Sequence, residues 1–278
     1  MPAYVANVTT VQGTGSSIVV PVPPGWVTGD LLLIVGAYDD NIGMTVAPVP
    51  PFTNESLDPM EFNQGFSFVF AWLIDATPDA DYTFTLSGTT EYAACMLLIK
   101  DVDSSWKDVA LSVNKENNVS SPEALSVTTT TANALVFRAV GMDDYHLPFT
   151  PVGSEDNHVE IGVASGISLH VVSELQAIAG ATGSFFFDPT GSDQANSYTI
   201  AVRSAAAPEG EVEIDASINL AQNVEVFATA SVQVWQNSEV QIDASIVAKQ
   251  ISEVQIDASA EVAFLGVTQI DASINLAQ

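Results

Sequence analysis

Positive charge is nearly missing from this chain: six Lys and Arg stand against 34 Asp and Glu, for a formal net charge of -28. That scarcity excludes nucleic acid as a partner, because phosphate contacts need a basic surface. It implies solubility, repulsion between free copies and tolerance of salt, and it suits a saline habitat or divalent cations in the native assembly. Cysteine is reduced to Cys95, so no intrachain disulfide can form. Cys95 lies in the apolar run Tyr92–Ile99, which reads as a central strand with a buried, inert thiol. No apolar stretch reaches the roughly 18–20 residues that a spanning helix needs, which argues against membrane insertion. The first residues, Met1-Pro-Ala-Tyr-Val5, lack a basic region followed by an apolar run, so no signal peptide is expected. Synthesis in the cytoplasm and release by lysis follow as expectations. Helical periodicity is scarce as well.

What the chain does have is a repeat. Residues 210–278 hold five copies of a 14-residue unit, the last one residue short. Ala-Ser recurs at the same place in each, as Ala216-Ser217, Ala230-Ser231, Ala244-Ser245, Ala258-Ser259 and Ala272-Ser273. A fixed internal period points to a stacked or fibrous architecture and not to an enzyme core. Within each copy apolar and polar residues alternate: Val212, Ile214, Ala216, Ile218 and Leu220 are separated by Glu213, Asp215, Ser217 and Asn219. Such a period of two is the mark of a strand with one buried face.

Two arrangements of those strands compete. Parallel stacking lines up Asp243, Asp257 and Asp271 in a column with a spacing of about 4.8 Å, and like charges opposite each other destabilise. An antiparallel meander sets Ala against Ala and Asp against Ser, which favours the meander. Either way one apolar face needs cover, since a small sheet with an open greasy face is not stable in water. Association of three chains into a prism supplies that cover, as does folding back onto the preceding domain. The trimer is the reading preferred, with Val212, Ile214, Ile218, Val240, Ile242, Ile246, Val254, Ile256, Ile270 and Ile274 as its interface.

Residues 1–204 read as many short strands punctuated by Gly, Pro, Asn and Asp, an all-β pattern that suits a β-sandwich of jelly-roll type. The clearest strands are Ser17–Val22, Leu31–Ala37, Phe66–Ile74, Tyr82–Leu86, Ala93–Lys100, Ala134–Val140, Ile161–Val172 and Tyr198–Arg203. Pro21-Val-Pro-Pro-Gly25 and Pro48-Val-Pro-Pro51 cannot lie inside central strands, because proline lacks the ladder donor. Residues 205–210 form the natural hinge, and 211–278 the repeat stem.

The segment Val22-Pro-Pro-Gly-Trp-Val-Thr-Gly-Asp-Leu-Leu-Leu33 resembles the opening of sandwich domains in tailed-bacteriophage virion proteins. Tyr82-Thr-Phe-Thr-Leu-Ser-Gly88, Ile99-Lys-Asp-Val-Asp-Ser104 and Tyr198-Thr-Ile-Ala-Val202 are similar to later landmarks of that family, over residues 5–204. The resemblance implies a non-enzymatic virion component attached to a tail or capsid, with other virion proteins as partners. It carries no catalytic residues, and the acidic repeat is outside its pattern.

Candidate chemistry is thin. His146, His158 and His170 are twelve residues apart, unlike the close pairs of compact metal motifs. Calcium takes several hard oxygens, and Asp75, Asp79 and Asp81 supply three carboxylates within seven residues. Asp39-Asp40, Asp101-Val-Asp103 and Asp188–Asp193 offer others, although turn-forming Asp bonded to its own backbone explains such pairs too. No Gly-x-Ser-x-Gly elbow occurs. Among aromatics, Trp72 falls inside a strand and reads as core, whereas Trp26 and Trp106 fall in turns where a host-surface glycan can reach them. Trp235 stands in the second repeat where other copies carry Ala or Lys, which marks it for a specific contact.

Two functions from different classes are consistent with these residues. One is a tail-fibre, tail-appendage or head-decoration protein of a virion. The other is a carbohydrate-binding sandwich of a bacterial surface or secreted protein. Because the chain ends inside its repeat at Gln278, a short appendage, a decoration or an adaptor is expected before a full fibre.

Overall fold

The computed structural model describes residues 2–40, 42–46, 52–60, 65–150, 155–164 and 166–205, together with the backbone of five strands between 212 and 277. The chain divides into two compact units, Met1–Ala205 and Ala206–Gln278. All regular structure among the described residues is β.

The first unit is a sandwich of two antiparallel sheets. Strands β1 (Tyr4–Pro21), β2 (Leu31–Asp39), β3 (Met44–Val46), β4 (Thr53–Pro59), β5 (Gly65–Leu73) and β6 (Asp81–Lys100) build the first sheet, in the order β1-β6-β2-β5-β4 with β3 also on β6. Strands β7 (Val102–Lys107), β8 (Ser112–Val119), β10 (Ala134–Asp143), β11 (Asp156–Val163), β12 (Ile167–Gln176) and β14 (Asp193–Ser204) build the second, in the order β11-β12-β10-β14-β7 with β8 also on β14. A two-residue ribbon, β9 (Glu123–Ala124) with β13 (Phe185–Phe186), pairs with neither sheet but packs on the second. The sandwich is therefore present, but the jelly-roll order is not. A jelly roll passes the chain back and forth between its sheets, whereas here one sheet is complete before the other begins.

Three apolar layers explain why the central strands read as unbroken hydrophobic runs. Between the sheets, Leu31, Leu33, Val35, Cys95 and Leu97 meet Phe137, Ala139, Leu169, Val171 and Ile200. On the outer face of the first sheet, Leu32, Ile34, Phe68, Phe70, Met96 and Leu98 form a second core. Its cover comes from the β1–β6 ribbon, whose register jumps from Gly15↔Thr90 to Ser17↔Thr85. Past that jump, Ile18, Val20, Phe84 and Leu86 join the second core. A third cluster, Val140, Met142, Phe149, Val172, Phe185 and Phe187, covers the outer face of the second sheet. A strand buried on both faces loses its polar alternation.

Cations are spent on closing the structure. Lys107 pairs with Glu55, and Lys115 with Asp58 at 3.1 Å, so both bridge the second sheet to β4 at the edge of the first. On the opposite flank the Gly162 amide of edge strand β11 donates to Gln12 Oε1 of edge strand β1 at 2.9 Å. Lys100 meets Asp30 at 3.4 Å, Arg138 meets Glu174 at 2.5 Å and Arg203 meets Asp108 at 3.5 Å. Every Lys and Arg whose side chain is described is thus paired with a carboxylate. Edges tied in this way are poor templates for another strand.

In the second unit the five copies give β15 (Val212–Leu220), β16 (Val226–Val234), β17 (Val240–Lys249), β18 (Val254–Val262) and β19 (Thr268–Ala277). Their pairing is parallel, and it joins alternate copies. Ala216, Ala244 and Ala272 are in register in one sheet, and Ala230 and Ala258 in another. This register differs from the expected meander, and in it Asp215, Asp243 and Asp271 stand beside one another. Parallel neighbours need a crossover of a dozen or more residues. The connections of four or five residues are too short for that, but two connections plus an intervening strand are long enough. Asp257 falls in the other sheet, opposite Thr229. The side chains proposed for the trimer interface, from Val212 to Ile274, lie outside the described residues, as does Trp235.

Candidate functional site

One end of the sandwich gathers negative charge. Asp39 closes β2, Asp40 follows with a left-handed φ of 65°, and Glu91 projects from β6. Ligand oxygens of these three side chains lie within 4.8 Å of one another. From the other sheet, Asp143 closes β10 and Asp144 follows with φ 58°. Asp tolerates that backbone because its short side chain bonds locally. Here the Asp40 amide donates to Asp39 Oδ1 at 2.6 Å and the Asp144 amide to Asp143 Oδ1 at 3.1 Å.

Across the sandwich the charge of Asp39 acts on Asp143. Burial is the main cause that pushes Asp143 up to about 7, and the charges of Asp39 and Asp193 add to it. Burial raises Asp39 as well, with Asp40 and Glu91 contributing. Nearby, His146 Nε2 stands 3.5 Å from Asp193 Oδ2. The carboxylates of Asp39, Asp40 and Glu91 could hold a hard cation. They match calcium in ligand type and supply three of the six to eight oxygens it takes.

The residues singled out from sequence for a cation are elsewhere and do not converge. Asp75 accepts the Trp72 indole N–H at 3.1 Å, and the Asp79 amide donates to the Tyr82 hydroxyl at 3.2 Å. Asp75, Asp79 and Asp81 are all exposed, and Asp79 and Asp81 line one shallow pocket with Tyr82. Only Asp39-Asp40, the neighbouring pair noted in the sequence, enters a three-carboxylate group among the described residues. Asp103 shows the self-bonded turn instead, accepting the Ser105 amide at 2.7 Å.

The aromatic candidates are also redirected. Trp26 is half-buried against the outer core of the first sheet, and Trp106 packs against the core between the sheets. Lys107 Nζ stands 5.3 Å from the Trp106 ring centroid. Trp106 lies in β7 and not in a turn, so its strand turns the ring inward. Trp72 is core, at 5% exposure. The histidines occupy three separate settings: His146 beside Asp193, His158 bonded to Ser173 Oγ at 2.7 Å, and His170 buried. Cys95 is fully buried, which pushes its thiol up to about 12 and makes it a poor nucleophile.

Sequence reasoning missed a polar tie inside the core. Ser67 of β5 and Tyr198 of β14 share a hydrogen bond between the sheets. Asn196 Nδ2 donates to Ser67 Oγ at 2.8 Å and to the Asp58 carbonyl at 3.2 Å. Ser67, Asn196 and Tyr198 are at most 1% exposed, so they hold the sheets in register and offer no nucleophile to a substrate. The polar residues interrupting the apolar β14, Asn196-Ser-Tyr-Thr199, were the available signal. No protein-family model matches this chain, and no curated protein or solved structure matches it either.

Proposed function

We propose that this chain is a non-enzymatic structural component of a tailed-phage virion, a tail-fibre or tail-appendage subunit or a head-decoration protein, assembling through its repeat. The observation that carries the reading is the five-copy unit whose alternate copies pair in parallel register. Such an element extends by addition of identical coils, which suits a stem and not a catalytic scaffold. The sandwich supplies a self-contained head, with both flanks bridged by side chains and its charges strongly negative. In this reading it docks onto other virion proteins of the tail or capsid, and the alternating apolar residues of the repeat associate three chains.

Light-scattering mass determination tests it, on the full chain beside a chain ending at Ala205. A trimer that becomes a monomer on truncation is the expected result. The double variant Ile242→Asp, Ile256→Asp is expected to dissociate the full chain, since each buried Ile contributes about 1.5–3 kcal/mol. A monomer at full length, or a mass unchanged in the double variant, overturns assembly through the repeat.

A further inference from the structure

His170 sits in β12 on the outer face of the second sheet and is 4% exposed. Its ring lies 4.7 Å from that of Phe149 and 5.6 Å from that of Phe187. Neither ring nitrogen has a hydrogen-bond partner. A neutral imidazole fits such a box as one more flat ring, whereas an imidazolium would bury a charge with no acceptor. Burial accordingly pushes His170 down to about 4.

The two phenyl rings belong to chain segments laid across the sheet. Their ties include the Phe149 amide to Glu160 Oε1 at 3.2 Å, Thr150 to the Asp188 carbonyl at 2.8 Å, Thr190 to the His146 carbonyl at 3.1 Å and Phe187 to the Pro122 carbonyl at 2.9 Å. The His146 amide also donates to Ser168 Oγ at 2.7 Å, Ser121 Oγ to the Phe187 carbonyl at 3.1 Å, and β13 pairs with β9. Charged groups around His170 are already committed. Glu160, its register partner on β11, accepts the Phe149 amide. Arg138 of β10 and Glu174 of β12 pair with each other at 2.5 Å. His146, in the covering segment, meets Asp193 of β14, and Glu116 of β8 accepts the Glu123 amide of β9 at 2.8 Å.

We propose that His170 is an acid-triggered latch, whose protonation releases the segments around Phe149 and Phe187 and uncovers the aromatic outer face of the second sheet. The charged ring can gain water only if these segments swing away. Opening then takes up one proton, so the open population rises up to about tenfold for each pH unit below about 6.5. The rise ends at the folded value of about 4, a total of roughly 300-fold.

The test is amide hydrogen exchange on the full chain from pH 7 to pH 4, corrected for intrinsic rates, with His170→Phe, His170→Leu and Glu160→Gln alongside. In the unaltered protein, residues 147–150 and 185–188 are expected to lose protection as pH falls, while β6 residues 93–99 keep theirs. Both His170 variants are expected to hold protection over that range, and Glu160→Gln to open as the unaltered protein does. Opening of the His170 variants at the unaltered pH, or its loss in Glu160→Gln, would assign the trigger to a carboxylate and overturn the latch. Should neither His170 variant fold, the ring-proton titration of His170 in the unaltered chain decides. An inflection near 4 is expected, and one at 6.5 or above overturns the proposal.

Discussion

Asp39 and Asp143 end central strands of opposite sheets, and the charge of Asp39 bears on the buried Asp143. In the folded chain Asp143 is held up to about 7, first by burial and then by the Asp39 and Asp193 charges, against about 4 when unfolded. Between those values the folded state binds more protons than the unfolded one. Stability therefore falls as pH rises from about 4 to about 7, and is flat in this respect above that. Asp143→Asn removes the like charge while keeping a group that can bond to Asp39. Urea unfolding is expected to show it more stable than the unaltered protein at pH 8, by on the order of 1–2 kcal/mol, with the gain vanishing near pH 4. A constant difference across that range would show that the raised Asp143 value has no energetic weight.

Asp108 titrates in the opposite direction. Its burial would raise the pKa, but hydrogen bonds from the Thr131 hydroxyl and the Thr130 amide and hydroxyl outweigh it and leave the value lowered. Those bonds measure 2.7, 2.6 and 2.9 Å, and Arg203 Nε stands 3.5 Å away. A depressed carboxylate contributes stability above its unfolded value and loses it as pH falls through the folded one. Asp108→Ala strands the Thr130 amide and the Arg203 guanidinium together, at an expected cost of about 2–4 kcal/mol at pH 7. The deficit should shrink towards pH 2 in urea titrations, because acid removes the same interaction from the unaltered protein.

Gly36 is required by close packing and not by backbone shape. A Cβ there would stand 2.3 Å from Phe68 Cζ and 2.8 Å from the Ala94 Cβ. Gly36→Ala is expected to cost about 1–3 kcal/mol through overpacking. Phe68→Leu costs stability by itself through lost volume. Combined with Gly36→Ala it should recover part of the loss, giving a favourable coupling in a double-mutant cycle of about 1 kcal/mol. Strict additivity would mean that the clash is relieved by backbone movement elsewhere.

The sandwich was legible where strands are buried on one or both faces by apolar residues. Leu31–Ala37, Phe66–Ile74 and Tyr198–Arg203 fall within or close to strands seen in the structure. Edge strands were not legible: β4 (Thr53-Asn-Glu-Ser-Leu-Asp-Pro59) and β8 (Ser112-Val-Asn-Lys-Glu-Asn-Asn-Val119) bury too little to need an apolar pattern. Their ladder bonds and Lys bridges hold them, and neither leaves a periodic trace. Tyr82–Leu86 and Ala93–Lys100 are one strand of 20 residues, because the register jump opposite Ser16 lets β6 continue through Gly88. The single run Ile161–Val172 is the reverse case, being split between β11 and β12. The acidic end was partly visible as Asp39-Asp40, but its partners Glu91 and Asp143 come from strands far away in the chain. Long-range convergence of that kind has no local signature.

Strand direction in the repeat is open to a direct chemical test. Ser217 and Ser245 are register partners in the parallel pairing of β15 with β17, whereas Ser231 of the intervening copy belongs to the other sheet. Register partners on adjacent strands are about 4.8 Å apart at Cα, within the range a disulfide spans. The double variant Ser217→Cys, Ser245→Cys is therefore expected to oxidise to an intrachain disulfide, and Ser217→Cys, Ser231→Cys to remain reduced. Cys95 does not interfere, because it is fully buried. Peptide mapping after mild oxidation distinguishes the two. An antiparallel meander pairs consecutive copies instead, and would leave Ser217 and Ser245 a full strand apart. Cross-linking of consecutive copies alone would replace the two-sheet coil with that meander, and would make the charge column of Asp215, Asp243 and Asp271 the interaction that decided the fold.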